Sequence, residues 1–482
     1  MKRVVIIGAG LGGLTAGALL AKEGYSVTIL EQHSVVGGCA TTFKRKGGYT
    51  CEVGLHEMDA AYGDRVKDIF DALGVYEHVT FVQPDEFYHI STDELAFTMP
   101  HEREAAIEKL VLTFPHERQA ILDYFGLLET VTKEFEKLMV ASWWQYAMFP
   151  FVFRRILKYR TTSTKTLMDR LFKDEKLKLI LNANVGYYSD KVGNLSFLLH
   201  ALAQHSYYSG GGWYIKGGSQ KLSDHLASVI CQHGGEVITK AMVTQIEARA
   251  VTYRHKKQTI TIESDIIISN LSPAATYTLA DIPYHEKRQP ASSILTIYMG
   301  FKRNLKSIYG KKPYASFFLK GAQSIEAYDA MMDGDIEERG FGFTDYSQID
   351  SGLTSDPEKS FGAILTTDFL ADWQDLSKEA YAQKKAMLME SFLDKLALEY
   401  PNIKEHIEFA EVATAKTIQR YIKTPNGTAY GFAPTPEQFF RIPQVKSKKR
   451  KNLYFVGAWV MGGGFSPAIM SGKLCYEQIC KT

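Results

Sequence analysis

Val4-Val5-Ile6-Ile7-Gly8-Ala9-Gly10-Leu11-Gly12-Gly13, a run of small residues to Lys22, and then Val27-Thr28-Ile29-Leu30-Glu31 open the chain. Four apolar residues read as a buried strand, the glycines as a turn, Thr15 to Lys22 as a helix, and the second apolar run as a strand ending in an acid. That order sets a pyrophosphate at a helix N-terminus and a ribose beside Glu31. Gly8 suits the tight bend, Gly10 the close approach of backbone to phosphate, and Gly13 the packing of helix on strand. A bare glycine triplet matches many unrelated turns, but the flanking strands and Glu31 agree with it here. Glu31 accepts hydrogen bonds from ribose hydroxyls and repels a 2′-phosphate, which argues against NADP at this site.

The segment that follows departs from a plain nicotinamide domain. Instead of another crossover helix there are Gly37-Gly38-Cys39, a hairpin around Lys46-Gly47-Gly48-Tyr49, and Cys51-Glu52-Val53-Gly54-Leu55-His56. A long, extended FAD runs naturally along such a loop-rich stretch, which points to a flavin as cofactor.

Further along, Leu222 to Cys231 has helical spacing and is stopped by His233-Gly234-Gly235. Glu236 to Ile246 reads as a strand returning to the nucleotide core, and Thr259 to Ser269 as another, terminated by Asn270 and Pro273. A last strand, Leu453-Tyr454-Phe455-Val456, leads into a turn from Gly457 to Gly464 and a helix from about Ser466. Ser466-Pro467 is a good start signal, serine capping free amides and proline needing none.

At these points the sequence resembles the FAD-dependent phytoene desaturase family, with its carotene isomerase and retinol saturase relatives. The motifs are the first glycine turn, Gly37-Gly38, Glu52-Val53-Gly54-Leu55-His56, Trp213 to Gly218, Gly234 to Val237, Asp265 to Asn270, and Asn452 to Trp459 with Gly462-Gly463-Gly464. The likeness is weak over 100–205 and 300–410, where substrate is chosen. It implies an α/β fold: an FAD-binding Rossmann-like domain of the glutathione reductase/amine oxidase type, with an interleaved α+β substrate domain. The cofactor domain would combine 1–100, 211–285 and 415–482; 101–210 and 286–414 would form the substrate domain, with the flavin ring in the seam.

Cofactor-binding candidates are Gly8, Gly10, Leu11, Gly12, Gly13, Glu31, Gln32, Gly37, Gly38, Gly54, Leu55, Asn270, Gly457, Ala458, Gly463, Gly464 and Phe465. The resemblance adds Met242 and Val243 at the adenine. Relatives often carry an acid after the equivalent of Gly457, where this chain has Ala458-Trp459, so the local contact to the cofactor differs. Gly54-Leu55-His56 is closer to the saturase and isomerase side than to the desaturases, which often read Gly-Pro there.

For chemistry, His56 and Glu57 are the protic pair after the Gly54 turn; ordinary packing is the competing role. Tyr430, Glu437 and Gln438 form a second rim, Tyr430 to flank an apolar substrate and the other two to orient a polar end. Arg441 suits an acid or a phosphate. There is no G-x-S-x-G elbow, and five scattered cysteines lack metal-ligand spacing. The leading expectation is redox chemistry at carbon–carbon bonds of a polyene or isoprenoid lipid: desaturation, saturation or redox-assisted isomerisation. A flavin-dependent amine oxidase and a non-catalytic lipid-binding flavoprotein are the alternatives.

Ala141 to Arg160 is rich in aromatics and ends in Arg154, Arg155, Lys158 and Arg160. It suits a peripheral membrane contact over 143–160 or an apolar substrate entrance; an interior helical cap with a solvated basic end is the second reading. Ser293 to Phe301 and Phe361 to Phe369 read as strands and Lys378 to Leu398 as a helix, together a greasy wall. Lys446 to Lys451 suits anionic lipid or a solvated loop.

With 56 basic and 54 acidic residues among 482, the net charge is +2 and no global field draws nucleic acid. Glycines interrupt the apolar start, so it reads as a folded unit rather than a signal peptide. No stretch reaches the roughly 18 apolar residues that cross a bilayer. The expectation is a cytoplasmic protein able to meet the inner face of a membrane, with an external electron donor or acceptor.

Overall fold

The computed structural model describes residues 1–59, 61–139, 141–441 and 444–481. Val4 to Ile7 are buried on both faces of the strand Arg3–Ile7, as a parallel sheet covered on two sides requires. That sheet runs in the order Glu236–Ile238, Ser26–Leu30, Arg3–Ile7, Ile266–Ser269, Leu453–Phe455, every pair parallel. One face, through Val4, Ile6 and Ile29, packs on the helices Leu11–Lys22, Gln220–Gln232 and Phe465–Cys480. The other, through Val5, Ile7 and Ile267, packs on a three-stranded antiparallel sheet, Met242–Ile246, Ala250–His255 and Gln258–Glu263. This is a Rossmann-like parallel sheet covered on both faces, as the resemblance implies.

The structure corrects two expected strands. Glu236 to Ile246 is two strands, because Lys240 turns left-handed (φ 54°) and the amides of Lys240 and Ala241 bond to the carbonyls of His33 and Glu31. Thr259 to Ser269 likewise divides into Gln258–Glu263 and Ile266–Ser269, in different sheets. The first helix starts earlier than expected, at Leu11, directly on the glycine turn.

The second sheet has seven strands: Ile407–Ala413, Ser293–Phe301, Ser360–Asp368, Phe341–Asp345, Ala315–Phe318, Tyr88–Ser91 and Ala96–Met99. All neighbours are antiparallel except Ala315–Phe318 with Tyr88–Ser91. Two of its strands thus come from within residues 1–100. Ile297, Met299 and Ile364 pack on the helix Lys378–Ala397 through Leu388, Phe392 and Leu396. A helical layer including Arg118–Met139, Glu175–Asn182 and Phe197–Gly210 forms a separate core with Phe317, Tyr328 and Met332.

The aromatic-basic stretch divides in two. Phe153, Ile156 and Tyr159 are buried in the helical core, whereas Trp143 is 81% and Phe151 72% exposed, with Trp144 and Met148 also exposed. The side chain of Tyr146 lies outside the described atoms. No helix among the described residues is long and apolar enough to cross a membrane.

Candidate cofactor cradle and active-site cavity

The cradle forms where the strand Arg3–Ile7 gives way to the helix Leu11–Lys22. Gly8 turns the chain at φ +92°, a conformation that side chains resist. The helix begins at Gly10 with no side-chain cap and no acid in its first turn. Its first amides therefore lack intrahelical partners and form a positive end suited to phosphate. A Cβ on Gly10 would stand 2.5 Å from the Asn270 amide, and one on Gly12 would stand 2.6 Å from the Gly457 nitrogen. Gly13 would collide with the Gly8 carbonyl, so it packs helix on strand. Asn270 ties the ends together, its Oδ1 accepting from the Gly10 amide at 3.1 Å and its Nδ2 donating to the Val456 carbonyl at 3.2 Å.

Glu31 is buried at the end of the second strand. Its carboxylate accepts from the Ala9 amide (2.8 Å) and the His33 amide (2.7 Å). Gly37 donates to the Ala9 carbonyl at 2.7 Å, laying Gly37 and Gly38 against Gly10. The Ala241 amide donates to the Glu31 carbonyl at 2.8 Å, bringing Met242 and Val243 to the same corner. Gln32 is engaged elsewhere, donating to the Tyr421 carbonyl at 2.9 Å. Glycine surfaces that a Cβ would fill, an uncapped helix start and a buried acid at the strand end converge on one edge, and these residues fit an FAD.

Glu52 anchors the next turn. It accepts from the Ser219 amide (2.8 Å) and hydroxyl (2.6 Å), the amides of Gly54 (3.3 Å) and Leu55 (3.2 Å), and the Tyr214 hydroxyl (3.4 Å). Burial still raises its pKa against those bonds. The turn sets His56 in place: its Nδ1 lies 3.0 Å from the Tyr346 hydroxyl and 3.1 Å from that of Thr344. Tyr346 gives its proton to the Leu55 carbonyl (2.7 Å), so Nδ1 is the donor to it and Nε2 carries the lone pair. Burial lowers the His56 pKa to about 4 and keeps the ring neutral. Nε2 has no hydrogen-bond partner.

His56 and Tyr430 line a pocket between the two lobes, partly open to solvent and about 720 Å³ with that open space included, together with Tyr187, Phe317, Tyr328, Met332, Phe343 and Leu365. No Asp, Glu, Lys or Arg lines it among the described residues. Tyr430 lies flush on Gly463, where a Cβ would strike its ring, and so joins the terminal segment to the cavity. In that segment the expected turn contains a short helix, Ala458–Met461, and the Gly457 amide donates to Ser471 Oγ at 2.7 Å. The terminal helix Phe465–Cys480 begins within one residue of the expected start, and its N-cap, Gly464, supplies no side-chain cap. Ser466 instead donates to the Asp59 carbonyl at 2.7 Å, which occupies the hydroxyl expected to cap.

Glu437 and Gln438 are not brought to the cavity. Glu437 is exposed on the short helix Pro436–Phe439; Gln438 clamps backbone, accepting from Gln289 N (2.6 Å) and donating to Ala433 O (2.9 Å). Arg441 is exposed, its carbonyl accepting from Arg288 at 2.8 Å. Arg450, in the basic run, bonds the carbonyls of Ile246, Glu247 and Ala280. Tyr187, Thr344, Tyr346 and His101 surround the His56-Glu57 corner without any local sequence signal. All five cysteines are free, and no group of metal-ligating side chains occurs among the described residues.

Residues 11–480 match the family model for flavin containing amine oxidoreductases. The all-trans-retinol 13,14-reductase of Danio rerio is 26% identical over 98% of this chain and 85% of its own length. The 4,4'-diapolycopene oxygenase of Methylomonas sp is 26% identical over 99% and 98% respectively. A solved putrescine oxidase with bound putrescine shares the fold at a TM-score of 0.67 and 15% identity, covering 100% of this chain and 99% of that one.

Proposed function

The chain belongs to the flavin containing amine oxidoreductase family and is an FAD-dependent oxidoreductase; from that premise we propose that it acts on a carbon–carbon bond of an apolar polyene or isoprenoid lipid. The observation that carries this is the charge-free wall of the pocket, whose one imidazole is held neutral by burial. An ammonium taken into it would lose its hydration without a counter-ion, a cost of several kcal/mol. Apolar surface entering the same space gains about 25 cal/mol per Å². The similarity to a retinol reductase and a diapolycopene oxygenase supports the same substrate class.

When bound, FAD would supply two-electron hydride chemistry. The amides of Leu11, Gly12 and Gly13 would receive its pyrophosphate and Glu31 the ribose, with Met242 and Val243 beside the adenine. His56 and Tyr430 frame the reacting carbon, and the aromatic wall excludes water. This arrangement serves desaturation, saturation or redox-assisted isomerisation, with an external electron donor or acceptor for the net redox cases. The exposed Trp143, Trp144, Met148 and Phe151, beside exposed Arg154, Lys158 and Arg160, suit the headgroup layer from which such a lipid is drawn.

Anaerobic incubation with membrane lipids, followed by flavin spectra and product masses, tests the proposal. Loss of two hydrogens marks desaturation, gain marks saturation, and unchanged mass with altered polyene absorbance marks isomerisation. Bleaching by amines with no response to any polyene would instead establish the amine oxidase reading.

A further inference from the structure

One buried acid beside the cavity has no structural employment. Both carboxyl oxygens of Glu57 lack a hydrogen bond, and the side chain is sealed from solvent. Its nearest charged-group contact is His101 Nε2, 3.7 Å from Oε1. Gly212 packs flat on the carboxyl: a Cβ there would stand 2.8 Å from it. Glu52, five residues earlier, shows what a structural carboxylate in this fold looks like, with donors on both oxygens. Tyr187 lines the cavity, interacts electrostatically with Glu57, and has a buried hydroxyl without a partner. The titratable groups that act on the corner are His101, Tyr187, Tyr207 and Tyr314, with Asp59 beyond Tyr207 and Asp85 beyond His101.

We propose that Glu57, backed by His101, is a buried proton store that serves the cavity through Tyr187. The proposal deepens the carbon–carbon reading of the site and rests on it. Saturating a double bond needs an electron pair, which bound reduced FAD would supply as hydride, and one proton. Tyr187 O–H breaks as a C–H bond forms at the carbon that did not take the hydride. Glu57 O–H then restores the phenol, and the carboxylate regains its proton through the His101 ring from water. The groups agree with this in the resting state: burial raises Glu57 well above the ordinary carboxyl range and lowers His101 to about 4, which leaves a neutral acid facing a neutral imidazole.

Infrared spectra of the FAD-loaded enzyme at pH 7 read the acid directly. A protonated-carboxyl band that shifts in D2O and is absent from Glu57→Gln is expected; a spectrum in which Glu57→Gln removes no such band overturns the proposal whatever the substrate. Turnover of all-trans-retinol and lycopene by wild-type, Glu57→Gln and Glu57→Asp enzymes reads the transfer. In Glu57→Gln, kcat should fall about 100-fold or more with KM and flavin content unchanged, and Glu57→Asp should recover part of it. A Glu57→Gln kcat within about twofold of wild type overturns the proton role. If the band behaves as expected and no polyene is turned over, the substrate reading fails while the buried acid stands.

Discussion

Glu52 and Glu57 sit on one short segment and are both sealed from water, yet they belong to regions of opposite character. Around the cradle, the buried acids are matched: Glu52 collects donors from Ser219, Gly54, Leu55 and Tyr214, and Glu31 two backbone amides. Around the cavity they are left open, at His56 Nε2, both Glu57 oxygens and the Tyr187 hydroxyl. A satisfied buried group holds the chain in place. An unsatisfied one costs stability and keeps its lone pair or proton available for chemistry.

The contrast breaks first at the cradle if it is wrong. Gly10→Val places a branched side chain against Asn270 and across the phosphate approach, and we expect FAD affinity to fall more than about 100-fold, equivalent to about 2.7 kcal/mol. A purified variant carrying one FAD per chain, read by its visible absorbance, would refute the assignment of the cradle.

Stability sharpens the contrast next. Glu52→Ala strands several buried donors and should cost about 3 kcal/mol in urea unfolding, whereas Glu57→Gln preserves shape and should cost under about 1 kcal/mol. Equal costs would erase the distinction between the two acids. The same measurement against pH carries a sign for each group. His56 and His101 are depressed to about 4, so the native state binds fewer protons than the unfolded chain below pH about 6.5. Their contribution is present above that pH and is lost as pH falls towards 4. Glu57 is raised, so its contribution is present below about 4.5, the ordinary carboxyl value, and is lost as pH climbs through its folded pKa. His56→Gln should make the acid limb shallower by up to about 1.4 kcal/mol per pH unit; an unchanged limb would show that the imidazole is already charged.

The smallest effect is expected at the outer edge of the substrate lobe. Replacing Trp143, Trp144 and Phe151 by alanine should leave unfolding within about 0.5 kcal/mol of wild type, since none is in the core. Binding to anionic vesicles should weaken about tenfold, because the rings lose their burial in the headgroup layer. Unchanged co-sedimentation with vesicles would remove membrane contact from the proposal.

The cradle was legible because its chemistry is local. A strand, glycine turn, helix and acid within 31 residues carry their own geometry. Gly8, Gly37 and Asn270 meet where their motifs suggested. Legibility failed where a partner came from afar. Ser466 looked like a cap until the Asp59 carbonyl took its hydroxyl, and Gln438 looked like a substrate contact until it clamped the Gln289 backbone. The strands Tyr88–Ser91 and Ala96–Met99, from the first hundred residues, join a sheet whose other members lie beyond residue 290, because Ala315–Phe318 offers Tyr88–Ser91 an edge.

Residue order alone pointed to a dinucleotide fold and to a flavin as its cofactor, since periodicity, glycine and the acid at a strand end act over a few residues and need no distant help. The state of each buried acid and imidazole was settled by folding. Glu52 is satisfied because Ser219 arrives from 167 positions away, and His56 is oriented because Tyr346 arrives from 290. Desolvation and hydrogen bonding depend on which atoms are within about 3 Å, a property of packing rather than of neighbours along the chain.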